Sequence, residues 1–235
     1  PGQRTIHDEL LKALRLALRE EIPSIHASGR TDAGVHARAQ VVCFRMQGIP
    51  DCYRLKHQIS SIMRGELAVL EAGIVDERFH PQRDAVSKLY GYTILNRQAP
   101  AVLECGRVWH VARKLDVEKM KIEARSLVGV HDFTSFRGHG CEQASAVKEI
   151  FSSEIETDPP YIYYYVRGRG FLKQMVRNLI GTLVGLGDGR LELKSMREVI
   201  EARDRRMAGM TAPACGLCLE SVEYASTPVI GDQSQ

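Results

Sequence analysis

The sequence predicts an α+β protein made of two successive ferredoxin-like subdomains, each a mainly antiparallel sheet with helices packed on it. Three observations carry this. From Thr5 to Val75 the chain reads helix, strand, strand, helix, strand, the order of a split βαβ unit whose first strand is missing. The second half repeats a similar mixture of strands and amphipathic helices. Between the halves, Asn96-Arg-Gln-Ala-Pro100 breaks the pattern and marks a boundary. The expected division is 1–97, 98–226 and a loose polar tail over 227–235.

Each element has a local cause. Thr5-Ile-His-Asp8 has the spacing of a capping box, and Leu10, Leu11, Leu14, Ala17 and Leu18 follow at helical intervals. A helix is expected from Ile6 to Glu21, stopped before Pro23. Gln40 to Met46, with Val41, Val42, Cys43 and Phe44, reads as a buried strand. Tyr53 to Arg64 places Leu55, Ile59 and Ile62 on one helical side, and Leu67 to Val75 follows as a strand. Ser87 to Asn96 alternates, with Tyr90, Tyr92 and Ile94 on one face.

In the second half, Arg107 to Val111 is a short strand holding the single Trp. Asp116 caps a helix with a stripe of Val117, Met120, Ala124, Leu127 and Val128. Val147–Glu156 and Tyr161–Arg167 form a hairpin turned by Asp158-Pro-Pro160. Helices over Gly170–Leu186 and Lys194–Ala202 and a strand over Cys218–Tyr224 complete the chain.

Composition narrows the function classes. The chain has 235 residues, 44% hydrophobic and 26% charged, which is ordinary for a globular protein. Runs of the length needed to span a bilayer as a helix are absent, so no membrane partner is expected. The start lacks an apolar signal region and does not begin with Met. A net charge of +3 permits a local basic cleft without demanding a polyanionic partner. Six cysteines without a secretion signal suggest reduced thiols and a cytoplasmic setting. Cys215-Gly-Leu-Cys218 has CxxC spacing, but a second CxxC or a paired His motif is lacking, so two packed residues are expected and no metal.

The candidate site centres on Ala27-Ser-Gly-Arg-Thr-Asp-Ala-Gly-Val-His-Ala37. Gly29 and Gly34 bracket Asp32 in a loop between two elements, together with a guanidinium, a hydroxyl and an imidazole. Alone, this could be a polar turn. A second stretch, Gly168 to Gly181, read as a helix, sets Lys173 and Arg177 one turn apart with Arg169 near its start. The flanking Tyr161-Ile-Tyr-Tyr-Tyr-Val-Arg167 adds aromatic surface to these cations, a combination that suits RNA backbone and bases. A core helix with a solvated basic edge is the plainer reading.

These segments together resemble the TruA family of tRNA pseudouridine synthases. The similarity runs through Gly29-Arg-Thr-Asp-Ala-Gly-Val-His-Ala37, Lys88-Leu-Tyr-Gly-Tyr92 and His131-Asp-Phe-Thr-Ser-Phe136. It continues with Phe171-Leu-Lys-Gln-Met-Val-Arg-Asn178 and Thr211-Ala-Pro-Ala-Cys-Gly-Leu217, all in the family's order.

The resemblance implies the pseudouridine synthase fold, with RRM-like subdomains, and isomerisation of uridine to pseudouridine in the anticodon stem-loop of tRNA. Positions 38, 39 and 40 of the tRNA are the implied targets. It further implies no metal or organic cofactor and a homodimer that cradles tRNA. Asp32 matches the family's catalytic aspartate and Arg177 the arginine that pairs with it. Arg30 matches a residue that helps the target nucleotide leave the stack, Tyr90 the aromatic lying against the uracil, and Leu217 packs near it. Arg169 and Lys173 are the candidate RNA contacts.

The chain departs from the family pattern in lacking its opening strand with the Tyr-Asp-Gly and Gly-Trp-Gln segments, and in carrying Gln174 where His is common. The segment from Ser60 to Leu67 also lacks the family's usual Asn and Leu-Pro. Two other function classes compete: a non-catalytic RNA-binding protein of the same fold, and a glycosidic hydrolase. The hydrolase would need a second carboxylate at a set distance, and Asp84 and Asp132 lie in the wrong segments.

Overall fold

A computed structural model describes residues 4–225; the expected tail over 227–235 lies outside them. The chain opens with α1 (Ile6–Leu18), β1 (Ile25–Ala27), β2 (His36–Ala37), β3 (Val42–Phe44) and α2 (Cys52–Ile62). Then come β4 (Ala85–Leu95), β5 (Trp109–His110), α3 (Val117–Arg125) and β6 (Gly129–Asp132). The hairpin strands β7 (Val147–Asp158) and β8 (Tyr161–Gly168) lead to α4 (Met175–Gly187), α5 (Met196–Ala202) and β9 (Leu217–Tyr224). The result is an α+β fold with a mainly antiparallel sheet.

These elements form two compact units. Among the described residues, one comprises those up to Gly29, Val41–Ala85 and Tyr224–Ala225; the other comprises Arg30–Gln40 and Val86–Glu223. This differs from a single cut at 97/98. Hydrogen bonding is the reason: β2, inside Arg30–Gln40, pairs with β9, and β4 pairs with β8, which ties both segments to the C-terminal residues.

In the first unit Thr5 caps α1 by accepting from the Asp8 amide at 3.1 Å, and Arg19 ends it in the left-handed conformation. The helix therefore stops at Leu18, short of Glu21. Asp51 caps α2 in the same way through the Arg54 amide. Leu10, Leu14, Ile22, Ile25, Leu55 and Ile59 are buried together between the helices and the β1–β3 pair. The expected strand Leu67–Val75 does not form a ladder. Its apolar alternation is used, since Leu67 and Val69 pack on this core, but a strand needs a hydrogen-bonding neighbour, and β3 pairs with β1 instead. The strand expected over Gln40–Met46 is shorter than its apolar run and half-buried.

The second unit is built on a sheet in the order β2-β9-β4-β8-β7-β6, with β5 beside β4. β4 runs antiparallel to β8 from Lys88 opposite Gly168 to Leu95 opposite Tyr161. The pleat divides β8: Ile162, Tyr164 and Val166 are buried, whereas Tyr161, Tyr163, Tyr165 and Arg167 take the other face. Tyr92, Ile94, Ile150 and Ile155 join the buried face, closed over by Met120 and Ala124 of α3, Met196 and Val199 of α5, and most of α4. Gly181 is required on α4, because a Cβ there would fall 1.8 Å from the Met210 carbonyl oxygen. Strand β6 was not expected from the sequence. Helix α3 ends at Arg125, so Leu127 is buried outside the helix and Val128 is exposed.

Helix α4 begins at Met175, not at Gly170. Gln174 takes a left-handed conformation (φ 60°), and the Lys173 carbonyl accepts the Gly138 amide at 2.9 Å. The apolar spacing of Leu172, Met175, Val176 and Leu179 suits a helix, but the preceding turn is bent by this long-range contact. Lys173 therefore lies outside the helix, and its expected one-turn alignment with Arg177 is absent.

Candidate active site

Asp32 sits in a turn that its neighbours close. The Val35 amide donates to the Asp32 carbonyl at 3.1 Å, and Gly34 supplies the positive φ (83°) that the turn needs. Directly after it, β2 runs parallel to β9, with His36 opposite Cys218 and Ala37 opposite Leu219, and the Arg38 amide donates to the Leu219 carbonyl at 2.9 Å. The loop is thus fastened to the sheet four residues after the carboxylate. On the other side, a Cβ at Gly34 would lie 3.4 Å from Cβ of Ala214, so the segment before β9 supports the turn.

Arg177 reaches Asp32 from the first turn of α4. Its Nη1 donates to Asp32 Oδ2 at 2.6 Å, and its Nε donates to the Ala212 carbonyl at 2.8 Å. The Ala212 amide donates back to the Arg177 carbonyl at 3.1 Å. The guanidinium is held at two points, which fixes its plane. Side-chain exposures of 15% for Arg177 and 27% for Asp32 leave the pair open to a ligand while shielding much of it from water.

Tyr90 of β4 lies on the same side of the sheet. Burial, and secondarily the negative charge of Asp32, push its phenol up to about 12, so it is neutral at physiological pH. Its ring meets Phe171 edge to face at 5.2 Å. Leu217, buried at the start of β9, belongs to the core against which Tyr90 packs. Before it, the Tyr92 hydroxyl donates to the Pro213 carbonyl at 2.7 Å. A carboxylate, a clamped guanidinium and apolar and aromatic walls therefore share one region. Such a site can place a fixed negative charge against a group bound on the aromatic surface.

The remaining candidates lie apart from this core. Arg30 is exposed, two residues from Asp32. Arg169 is paired with Glu149 at 3.2 Å, and its guanidinium carbon lies 6.0 Å from the centre of the Phe151 ring. Lys173 is exposed near the Gly138–Gly140 loop. The expected aromatic support from β8 is placed elsewhere: Tyr161, Tyr163 and Tyr165 stack on the face of the sheet opposite Tyr90, among Glu104, Glu220 and Glu223.

Cys215 donates to the Val108 carbonyl, and burial pushes the Cys218 thiol up to about 11, as for two packed residues. Among the described residues there is no cluster of three metal-ligating side chains. Sequence reasoning missed the Ala212 carbonyl, the Phe171 ring and the Glu149 partner of Arg169. Phe171 and Ala212 stood inside the matched segments, but nothing local assigned them a contact.

Comparison with known proteins agrees with this geometry. A family model described as tRNA pseudouridine synthase matches residues 124–225. A protein of Citrifermentans bemidjiense named tRNA pseudouridine synthase A is 38% identical over 225 residues, 95% of this chain and 90% of the relative. One of the same name from Moorella thermoacetica is 41% identical over 221 residues, 94% and 89% of the two chains. Similarity at this level over almost the whole chain shows that it belongs to the tRNA pseudouridine synthase A family.

Proposed function

We infer that this protein isomerises uridine to pseudouridine in tRNA, with Asp32 as the catalytic carboxylate and Arg177 as the residue that aims it. The observation that carries the assignment is the 2.6 Å contact between Arg177 and Asp32, in a chain similar along its length to proteins named for this activity. In the reaction the bond from C1′ to N1 of uracil breaks, the base turns, and a bond from C1′ to C5 forms; C5 loses a proton and N1 gains one. A carboxylate near the sugar serves by attacking C1′ or by removing a sugar proton. Arg177 holds and orients that carboxylate through a charge-assisted hydrogen bond. Tyr90 and Leu217 offer the uracil a flat aromatic and an aliphatic surface. Arg30, exposed within the same loop, is suited to hold the place that the target nucleotide leaves.

The target is placed in the anticodon stem-loop, at tRNA positions 38, 39 and 40, with Arg169 and Lys173 on the RNA backbone. The enzyme acts as a cytoplasmic homodimer without a cofactor. Six free cysteines fit a reducing compartment, and no helix among the described residues is long and apolar enough to cross a membrane. The stacked Tyr161, Tyr163 and Tyr165, beside the ion pairs Arg38–Glu220 and Arg167–Glu223, form a surface suited to a protein partner, because its cations are already neutralised.

A hydrolytic reading is less favoured. Asp132, one of its candidate second carboxylates, is occupied by Thr134 and by Arg203 at 3.1 Å. One experiment separates the three readings. Purified protein incubated with unmodified tRNA yields pseudouridine if it is a synthase, free uracil if it is a hydrolase, and neither if it only binds.

A further inference from the structure

Arg177 is aimed by the Ala212 carbonyl, so whatever fixes Ala212 takes part in forming the site. The segment from Ala208 to Pro213 crosses α4 as irregular chain, without a strand or helix of its own to hold it. The Thr182 hydroxyl, the Arg177 carbonyl and the Tyr92 hydroxyl fasten it at Gly209, Ala212 and Pro213, and a polar network around Asn178, which is fully buried and follows Arg177 in α4, ties Gly209 and Thr211. Arg205 lies at its centre. Its Nη1 donates to the Gly209 carbonyl at 2.8 Å, and its Nη2 donates to Asn178 Oδ1 and to Thr211 Oγ1, both at 3.0 Å. The Thr211 hydroxyl donates onward to Asn178 Oδ1 at 2.7 Å, and Asn178 Nδ2 donates to the Phe136 carbonyl at 2.8 Å.

The oxygens that accept from Arg205 are all neutral, and burial lowers its guanidinium from the ordinary arginine value. A cation placed among neutral carbonyl and amide oxygens, not beside a carboxylate, costs stability through desolvation. Its five donors allow one side chain to tie the crossing segment at two points, Gly209 and Thr211, to the residue next to Arg177. Directly beyond lie Ala212, which holds Arg177 Nε, and Ala214, which lies against the Asp32 turn.

We propose that Arg205 is a positioning residue for the isomerisation: by fixing Gly209 and Thr211 on Asn178 it sets the Ala212 carbonyl, and through it the direction in which Arg177 presents Asp32. This rests on the assignment of Asp32 and Arg177 as the catalytic carboxylate and its partner. Arg205 acts on the geometry of the pair and not on tRNA, so its removal lowers kcat and leaves KM for tRNA alone. A displacement of the order of 1 Å at a reacting group costs up to about a hundredfold in rate.

The test is a kinetic cycle on the full chain with unmodified tRNA, using Arg205→Met, Arg205→Lys, Arg177→Lys and the double variant Arg205→Met with Arg177→Lys. Arg205→Met is expected to lower kcat by about ten- to a hundredfold with KM within about twofold. Arg205→Lys, which reaches fewer of the acceptors, recovers part of that activity. In the Arg177→Lys background, where the two-point hold is already gone, Arg205→Met should cost little more. If Arg205→Met does not fold, Thr211→Val, which keeps shape and removes one link, carries the same expectations. An unchanged kcat in a folded variant, a rise in KM alone, or effects that simply multiply with those of Arg177→Lys would each overturn the proposal. Absence of pseudouridine from the unmutated protein would instead refute the assigned function.

Discussion

Arg177 grips Asp32 with one guanidinium nitrogen and the Ala212 carbonyl with another, so the aim of the carboxylate is set by a segment that follows it by about 180 residues of chain. Asp32→Asn keeps the shape of the side chain and removes its charge. Pseudouridine formation should fall by about a thousandfold or more, while tRNA affinity stays within a few-fold, because affinity comes mainly from cations on phosphates. Single-turnover assays beside filter binding check this. Near-normal turnover would place the chemistry on another residue.

The same contact predicts coupling in stability. Arg177→Met keeps the aliphatic stem but leaves the carboxylate unpaired in a site where it is only 27% exposed. The cost should lie at about 1–3 kcal/mol, between that of an exposed pair and that of a fully buried one. Adding Asp32→Asn removes the stranded charge, so the double variant should be more stable than Arg177→Met at neutral pH. Arg177→Lys should fold and turn over slowly, since it keeps the charge but gives up the two-point geometry. Urea unfolding of the four proteins measures the coupling; strict additivity would mean that the two side chains do not interact.

Much of this arrangement was legible in the sequence, for physical reasons. Asp32 stood out because Gly29 and Gly34 bracket a guanidinium, a hydroxyl and a carboxylate within six residues. Tyr92 and Ile94 were placed on one face of β4 by simple alternation, and the helix caps at Thr5 and Asp116 by their side-chain oxygens. Arg177 was linked to Asp32 only by resemblance, since local pattern carries nothing across so long a stretch of chain. The role of Ala212 could not be read, because a carbonyl is common to every residue. The false start of α4 at Gly170 has a related cause: Gly138 approaches Lys173 so closely that a Cβ there would lie 2.8 Å from its carbonyl oxygen, and only the folded chain reveals that contact.

Tyr90 gives a prediction at alkaline pH. Its phenol is pushed up to about 12 in the folded protein, against an ordinary value near 10 in the unfolded chain. The raised value means that the neutral form is favoured by folding. The associated stability is present in full below about pH 10 and is lost as pH rises toward 12, where the unfolded chain releases the proton first. Tyr90→Phe should therefore reduce the alkaline loss of stability above pH 10, though not abolish it, because burial also raises Tyr92, Tyr164 and Tyr224. Thermal unfolding from pH 8 to 11.5 reads the difference. Parallel curves for the two proteins would show that Tyr90 ionises freely in the fold.

The last prediction concerns the cations expected to meet RNA, and the structure makes them unequal. Lys173 is exposed, whereas Arg169 is already paired with Glu149 at 3.2 Å. A cation that must leave a carboxylate to reach a phosphate gains less from the exchange than one that leaves only water. Lys173→Ala should thus weaken tRNA binding and flatten its dependence on log salt by roughly one unit for each phosphate no longer neutralised. Arg169→Ala should do so to a smaller degree. Glu149→Gln should act in the opposite sense, tightening binding at low salt by freeing Arg169, with the gain shrinking as salt rises because exposed charges are screened. In the Arg169→Ala background, Glu149→Gln should retain only the general benefit of removing a negative charge near the RNA. Binding isotherms at four salt concentrations for these variants resolve the slopes. Equal slopes for Lys173→Ala and the unmutated protein would place Lys173 on a face that tRNA does not touch. An unchanged affinity in Glu149→Gln would show that the ion pair does not compete with the RNA.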